Sequence, residues 1–119
     1  MKTWAVVGLG NNPERAAFGV AKLLQEKGHR IIPVYPRAEI VHGEIGYKTL
    51  RDIGQPVDVV DCFVNSSHVG KVVDEAIAIG AKAVWLQLDV IDHEAISRAQ
   101  EAGLLTVMNR CPAIEYRSR

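Results

Sequence analysis

The residues best suited to bind a ligand lie in one short segment, from Gly8 to Arg15. An apolar run leads into Gly8 and Gly10, and glycine lets a backbone approach a ligand closely. Asn12 then fits the N-cap of a helix, and Pro13 fits its first position. The free N–H groups and the positive dipole end of such a helix attract anions. The segment therefore predicts a phosphate site, although glycine in a strand-to-helix turn can also serve the turn alone.

Apolar and amphipathic runs alternate along the chain. The apolar runs predict five strands: Trp4–Val7, Ile31–Val34, Val57–Val64, Ala83–Leu86 and Leu104–Met108. The amphipathic runs between them predict helices, which Gly28, Gly80 and Gly103 end. Strands that alternate with helices pair in parallel through right-handed crossovers. The sequence therefore predicts an α/β fold: a Rossmann-like, doubly wound, five-stranded parallel sheet with helices on both faces and the strand order 3-2-1-4-5.

Local signals add detail to this pattern. Pro33 lacks an N–H group, which favours a position near the end of a strand or at the edge of the sheet. Asp61 interrupts the apolar run of the third strand and needs a partner, for which Arg110 is one candidate. Turn signals predict an irregular excursion over residues 39–47 that turns at His42 and Gly43. Two short helical pieces are predicted, from Thr49 to Ile53 and from Ala113 to Arg117. The predicted N-caps are Ser66 or Ser67 for the helix after the third strand and Asp92 for the helix after the fourth.

Composition narrows the class of protein. The chain has 119 residues, which fits one domain spanning residues 1–119. Its formal net charge is zero, which argues against a nucleic acid or an anionic membrane as partner. It has neither a membrane-spanning apolar run nor the apolar core of a signal peptide, so we expect a cytoplasmic protein. Its two cysteines do not form a disulfide framework, and no histidine spacing predicts a metal site.

The loop after the second strand narrows the choice of nucleotide. A dinucleotide fingerprint needs a third glycine, but Pro13 follows the first two, and no acid precedes Glu39 to hold a ribose diol. Arg37 in that loop suits a phosphate on the ribose, which NADP and coenzyme A both carry. A Walker P-loop is excluded, because no Gly-Lys-Ser/Thr sequence follows the glycines.

Short stretches along nearly the whole chain match one family in order and spacing. The matching stretches are Val7-Gly8 with Asn12-Pro13-Glu14-Arg15, Pro33-Val34-Tyr35-Pro36, Tyr47-Lys48-Thr49-Leu50 with Asp52-Ile53, Pro56-Val57-Asp58, Asp74-Glu75-Ala76 with Gly80-Ala81-Lys82, Trp85-Leu86-Gln87-Leu88, Glu101-Ala102-Gly103-Leu104, and Arg110-Cys111-Pro112-Ala113-Ile114-Glu115. With these stretches the chain resembles the stand-alone CoA-binding domain proteins. Their relatives are the CoA-binding domains of succinyl-CoA synthetase α subunits and of NDP-forming acyl-CoA synthetases.

The resemblance implies that coenzyme A, or an acyl-CoA, binds at the carboxyl ends of the strands. It would place the pyrophosphate over the glycine segment, the 3′-phosphate near Arg37, and the pantetheine arm toward Gln87. The candidate binding residues are Gly8, Leu9, Gly10, Asn11, Asn12, Pro13, Arg15, Tyr35, Pro36, Arg37, Phe63, Val64, Asn65, Gln87, Asn109 and Arg110. Four positions depart from the family pattern: Tyr35, Val64, Asp89 and Asn109. The changes at Val64 and Asp89 both remove positive potential from the crevice.

The sequence features are compatible with three functions. The first is a small CoA-binding or acyl-CoA-binding protein without catalysis of its own, because no acid–base pair or activated nucleophile stands out. The second is an NADP-dependent oxidoreductase, for which Arg37 argues. The third is a protein-interaction module that has lost nucleotide binding, for which Val64 and Asp89 argue. A homo-oligomer or a protein partner is compatible with all three.

Overall fold

Strands and helices alternate through residues 2–112, the part of the chain that the computed structural model describes. In chain order the elements are β1 (Thr3–Val7), α1 (Ala16–Glu26), β2 (Arg30–Val34), a short 3₁₀ helix (Leu50–Asp52), β3 (Val59–Cys62), α2 (Ser66–Ala78), β4 (Ala83–Leu86), α3 (His93–Glu101) and β5 (Leu105–Val107). All paired strands run parallel. The predicted α/β fold with a five-stranded parallel sheet is therefore confirmed.

The strand order is β2-β1-β3-β4-β5, so the predicted order 3-2-1-4-5 is wrong. β3 pairs with β1 rather than with β2, which leaves β2 at the edge of the sheet. Pro33 explains this position, because an edge strand needs no N–H group on its outer side. On that side the carbonyl of Pro33 accepts the N–H of Tyr47 at 2.9 Å. The sequence-based expectation that Pro33 marks a strand end or an edge is confirmed.

The two faces of the sheet carry different helices. α1 packs on one face, where its buried residues join Trp4, Val6 and Ile31 in one cluster. α2 and α3 pack on the other face, together with Leu50, Ile53 and Val57 from the segment that connects β2 to β3. Consecutive strand residues point to opposite faces, and β1 accordingly supplies Val6 to one cluster and Val7 to the other. Helices on both faces are thus confirmed.

The predicted N-caps are only partly correct. Asp92 caps α3, since its Oδ1 accepts the N–H of Ala95 at 3.0 Å. Asn12 does not cap α1: its Oδ1 accepts the N–H of Glu14 in a tight turn, and the helix begins only at Ala16. The N-cap of α2 is Asn65 rather than either serine.

The excursion between β2 and the 3₁₀ helix turns where the sequence predicts. Val41 and Glu44 exchange backbone hydrogen bonds of 3.0 and 2.9 Å, and His42 and Gly43 between them have φ angles of 50° and 81°. Positive φ at both central positions is typical of a type I′ turn. The predicted helical piece over residues 113–117 lies outside the described residues. None of the helices in residues 2–112 has the length and apolar character needed to cross a membrane.

Candidate functional site

A cavity of about 920 Å³ opens at the carboxyl ends of the central strands. From β1 the chain continues to β2 on one side, and from β3 it continues to β4 on the other side of the sheet. The loops that follow β1 and β3 therefore diverge and leave a crevice between them. The cavity wall contains residues from the loops after β1, β2, β3 and β4: Val7, Gly8, Arg15, Ala16, Ala17, Val34, Tyr35, Pro36, Lys48, Phe63, Val64, Asn65, Ser66, Ser67, His68, Gln87, Leu88, Asp89 and Val90.

Two helices begin at this cavity. The first residues of α1, Ala16 and Ala17, and those of α2, Ser66 and Ser67, all line it. The first N–H groups of an α-helix have no partner within the helix, and the dipole adds partial positive charge there. The crevice therefore offers backbone donors and positive potential from both faces of the sheet.

The glycine segment itself is mostly occupied by protein contacts. The N–H of Gly8 donates to the carbonyl of Val34 at 2.8 Å, and the N–H of Asn11 donates to Oε1 of Glu39 at 2.8 Å. Gly8 has a φ of 97°, and a Cβ atom there would collide with the carbonyl oxygen of Phe63. Glycine at this position is thus required by the close approach of two loops. Further along, Ala16 and Ala17 begin α1, and the first N–H groups of a helix have no partner within it.

Basic side chains are concentrated at one end of the crevice. Arg15 follows β1, and Lys48 follows Tyr47, which bridges to the end of β2. Arg37 and Arg15 also line an adjoining cavity of about 240 Å³, which contains the carboxylate of Glu39 as well. At the other end, the loop after β4 contributes Asp89. The crevice is therefore electrostatically polarised, with its positive end beside β1 and β2.

A buried polar pair stands at the end of β3 and β4. Asp61 is 0% exposed and Gln87 is 4% exposed, and the carboxamide nitrogen of Gln87 donates to Oδ1 of Asp61. Burial raises the pKa of Asp61 to about 8, and the hydrogen bond from Gln87 opposes that rise. Asp61 is therefore mostly uncharged at neutral pH. Among the described residues, Asp61 is hydrogen-bonded to Gln87 and not to the sequence-predicted candidate Arg110. The carbonyl of Arg110 accepts the indole N–H of Trp85 at 2.7 Å.

The structure brings most of the sequence-predicted binding residues to these two cavities. The main cavity contains Gly8, Arg15, Tyr35, Pro36, Phe63, Val64, Asn65 and Gln87, and the adjoining cavity adds Gly10, Asn11, Asn12 and Arg37.

Four of the predicted residues line neither cavity. Leu9 is fully buried in the core that faces α1, so its side chain cannot reach a ligand, and Pro13 is exposed outside both cavities. Asn109 accepts the N–H of Asp89 at 2.8 Å and thus supports the loop after β4. Neither it nor Arg110 lines the crevice.

Other lining residues were missed from the sequence. Lys48 and His68 line the main cavity, and Glu39 lines the adjoining one. Ser66 lines the main cavity too, and its hydroxyl accepts the N–H of Ile91 at 2.9 Å, which joins α2 to the loop after β4. The matching stretch around Tyr47 was the one available signal for Lys48.

The two cysteines differ in their surroundings. Cys62 is fully buried in β3, and burial raises the pKa of its thiol. Cys111 packs, partly buried, against the core that faces α1. Both thiols are free.

The sheet order and the position of the crevice define a class of protein. A doubly wound sheet with its main cavity at the carboxyl ends of the strands, where the strand order reverses, is a Rossmann-like α/β fold. The sequence model of the family described as "CoA binding domain" matches residues 2–117. The chain therefore belongs to the CoA binding domain family, and this membership supports CoA binding in general.

The chain is also similar in sequence to known proteins. The uncharacterized protein YneT of Bacillus subtilis is 33% identical over 115 residues, which are 97% of this chain and 85% of YneT. A hypothetical protein from Pyrococcus horikoshii is 41% identical with a TM-score of 0.93, covering 98% of this chain and 82% of that protein. The α subunit of an ADP-forming acetate–CoA ligase from Pyrococcus furiosus is 33% identical over 81 residues, 67% of this chain but 18% of the subunit.

Proposed function

We propose that the protein binds coenzyme A or an acyl-CoA in the crevice between α1 and α2. The observation that carries this proposal is the convergence of two helix N-termini on one cavity whose positive end holds Arg15 and Lys48. Helix N-termini and cations bind phosphate groups. Membership of the CoA binding domain family supports the choice of ligand.

In this proposal the phosphates bind at the start of α1 rather than over the glycines. The N–H groups of Gly8 and Asn11 already donate to protein acceptors, whereas Ala16 and Ala17 begin a helix at the cavity wall. Arg37, in the adjoining cavity, is the residue proposed for the 3′-phosphate. The uncharged arm of the ligand would extend toward the loop after β4.

Calorimetric titration tests the proposal directly. Folded protein should release or take up heat with CoA and with acetyl-CoA at low salt, and no binding of either would contradict CoA as the ligand. A parallel thermal-shift screen with NADP covers the second candidate, which Arg37 in a small cavity with Arg15 favours. Stabilisation by NADP alone would support the oxidoreductase.

Arg37→Ala tests the position of the 3′-phosphate. A charge-assisted hydrogen bond contributes about 1.5–3 kcal/mol, so the variant should lose about ten-fold or more in CoA affinity and little for dephospho-CoA. Arg30→Ala is the matched control, because Arg30 begins β2 at the opposite end of the sheet. Equal losses for the two ligands would remove the 3′-phosphate from Arg37.

The role without catalysis and the cytoplasmic location stay predictions. Incubation of the protein with acetyl-CoA, followed by a thiol assay, checks the first: release of free thiol above the rate in buffer would show catalysis.

A further inference from the structure

A carboxyl group is buried directly behind the wall of the crevice. Asp61 lies in the middle of the sheet, beside Val6 of β1 and Trp85 of β4. Its Oδ1 accepts a hydrogen bond from Gln87, and its Oδ2 has no partner among the described residues. An apolar side chain would fill this place without leaving a polar atom unpaired. Folding alone therefore does not account for Asp61.

The hydrogen bond of Asp61 orients the side chain of Gln87, a residue of the crevice wall. Gln87 lines the cavity, and its backbone is tied to its surroundings, since its carbonyl accepts the N–H of Val90 at 3.0 Å. A carboxamide has a donor side and an acceptor side. Because the nitrogen of Gln87 faces Asp61, its oxygen faces away from Asp61 and is left to accept another hydrogen bond.

The polarity of the crevice indicates which part of a ligand Gln87 would meet. The basic residues Arg15, Arg37 and Lys48 lie beside β1 and β2, whereas the loop after β4 adds the acidic Asp89. A ligand with phosphates at one end would place them near the basic residues and its uncharged end near Gln87. The pantetheine arm of CoA is uncharged and carries amide N–H groups, which are donors.

We propose that Asp61 is a positioning residue, which holds the carboxamide of Gln87 so that its oxygen accepts an amide N–H of the pantetheine arm. This inference rests on the proposed function, because it needs CoA in the crevice. It assigns the arm, rather than the phosphates, to the end of β4.

The test compares the affinities for CoA and for 3′-phospho-ADP, which lacks the arm. Asp61→Ala should weaken CoA binding about five-fold, the order of one neutral hydrogen bond, and change 3′-phospho-ADP binding less than two-fold. Asp61→Asn should retain CoA affinity, because its side-chain oxygen still accepts from Gln87. The double variant with Gln87→Ala should bind CoA as weakly as Gln87→Ala alone, since Asp61 acts only through Gln87.

Controls separate positioning from general damage to the sheet. Val60→Ala removes atoms from an equally buried neighbour in β3 and should leave both affinities unchanged. If Asp61→Ala does not fold, Asp61→Ser, whose oxygen is too short to reach Gln87, takes its place.

The possible outcomes are distinct. Unchanged CoA affinity in Asp61→Ala, an equal loss for both ligands, or additive losses in the double variant would each overturn the positioning role. Failure of the wild-type protein to bind CoA would overturn the proposed function, and the positioning role with it.

Discussion

Asp61→Asn should remove the loss of stability that Asp61 causes as pH rises from about 4 to about 8. The carboxyl group of Asp61 is fully buried, and burial raises its pKa from 3.8 to about 8. In the unfolded chain this group ionises near its ordinary pKa, whereas in the folded protein it stays protonated until about pH 8. The asparagine side chain has the same shape and does not titrate in this range.

The size and sign of the effect follow from proton linkage. Because the folded-state pKa is the higher one, the contribution of Asp61 to stability is fully present below about pH 4. This contribution is lost as pH rises toward about 8. Above that pH the group is ionised in both states, and stability no longer changes with its titration. The slope is about 1.4 kcal/mol per pH unit, so the contribution of Asp61 to the free energy of unfolding should fall by about 4 kcal/mol between pH 5 and pH 8.

Urea unfolding at several pH values, followed by circular dichroism, measures this difference. The two proteins share every other titrating group, including His29, whose pKa is lowered chiefly by burial and whose contribution has the opposite sign. Subtracting the Asp61→Asn curve from the wild-type curve therefore isolates Asp61. Parallel curves for the two proteins would refute the reasoning, because they would mean that Asp61 ionises at its ordinary pKa inside the sheet.

Two further substitutions test local contacts through urea or thermal unfolding. Gly8→Ala should lower the free energy of unfolding by about 1–3 kcal/mol more than Gly28→Ala, because both glycines have positive φ but only Gly8 lies against a neighbouring backbone. Equal losses would contradict the close approach. Ser66→Ala should cost about 1 kcal/mol, or about 4 °C in Tm, through loss of its bond to Ile91. Ser67→Ala is its matched control, and equal changes in Tm for the two would contradict the link.

The regular elements could be predicted because their signals are local. Alternating apolar and amphipathic runs determine where strands and helices form, and glycine ends α1, α2 and α3 at Gly28, Gly80 and Gly103, each with positive φ. The strand order depends instead on which strands meet. The alternation of elements leaves that open, and the missing N–H of Pro33 was the one local sign that β2 lies at an edge.

The site was predictable in its loops but not in its details. Parallel strands bring the ends of β1 to β4 to one edge, so most of the predicted residues line the crevice or the adjoining cavity. The start of α1 was misplaced because Asn12 can serve a turn as well as a cap. Glu39 reaches Asn11 across 28 positions of sequence, and no local pattern reports such a contact.

The edge position of β2 has a consequence for self-association. An exposed edge strand can recruit a strand from another molecule through its unpaired backbone groups. Here Pro33 has no N–H to offer, its carbonyl is bonded to Tyr47, and the N–H of Tyr35 donates to the carbonyl of Tyr47 at 2.9 Å. The carboxyl half of β2 is thus closed to strand addition, which protects the side of the sheet nearest the crevice from aggregation through its edge.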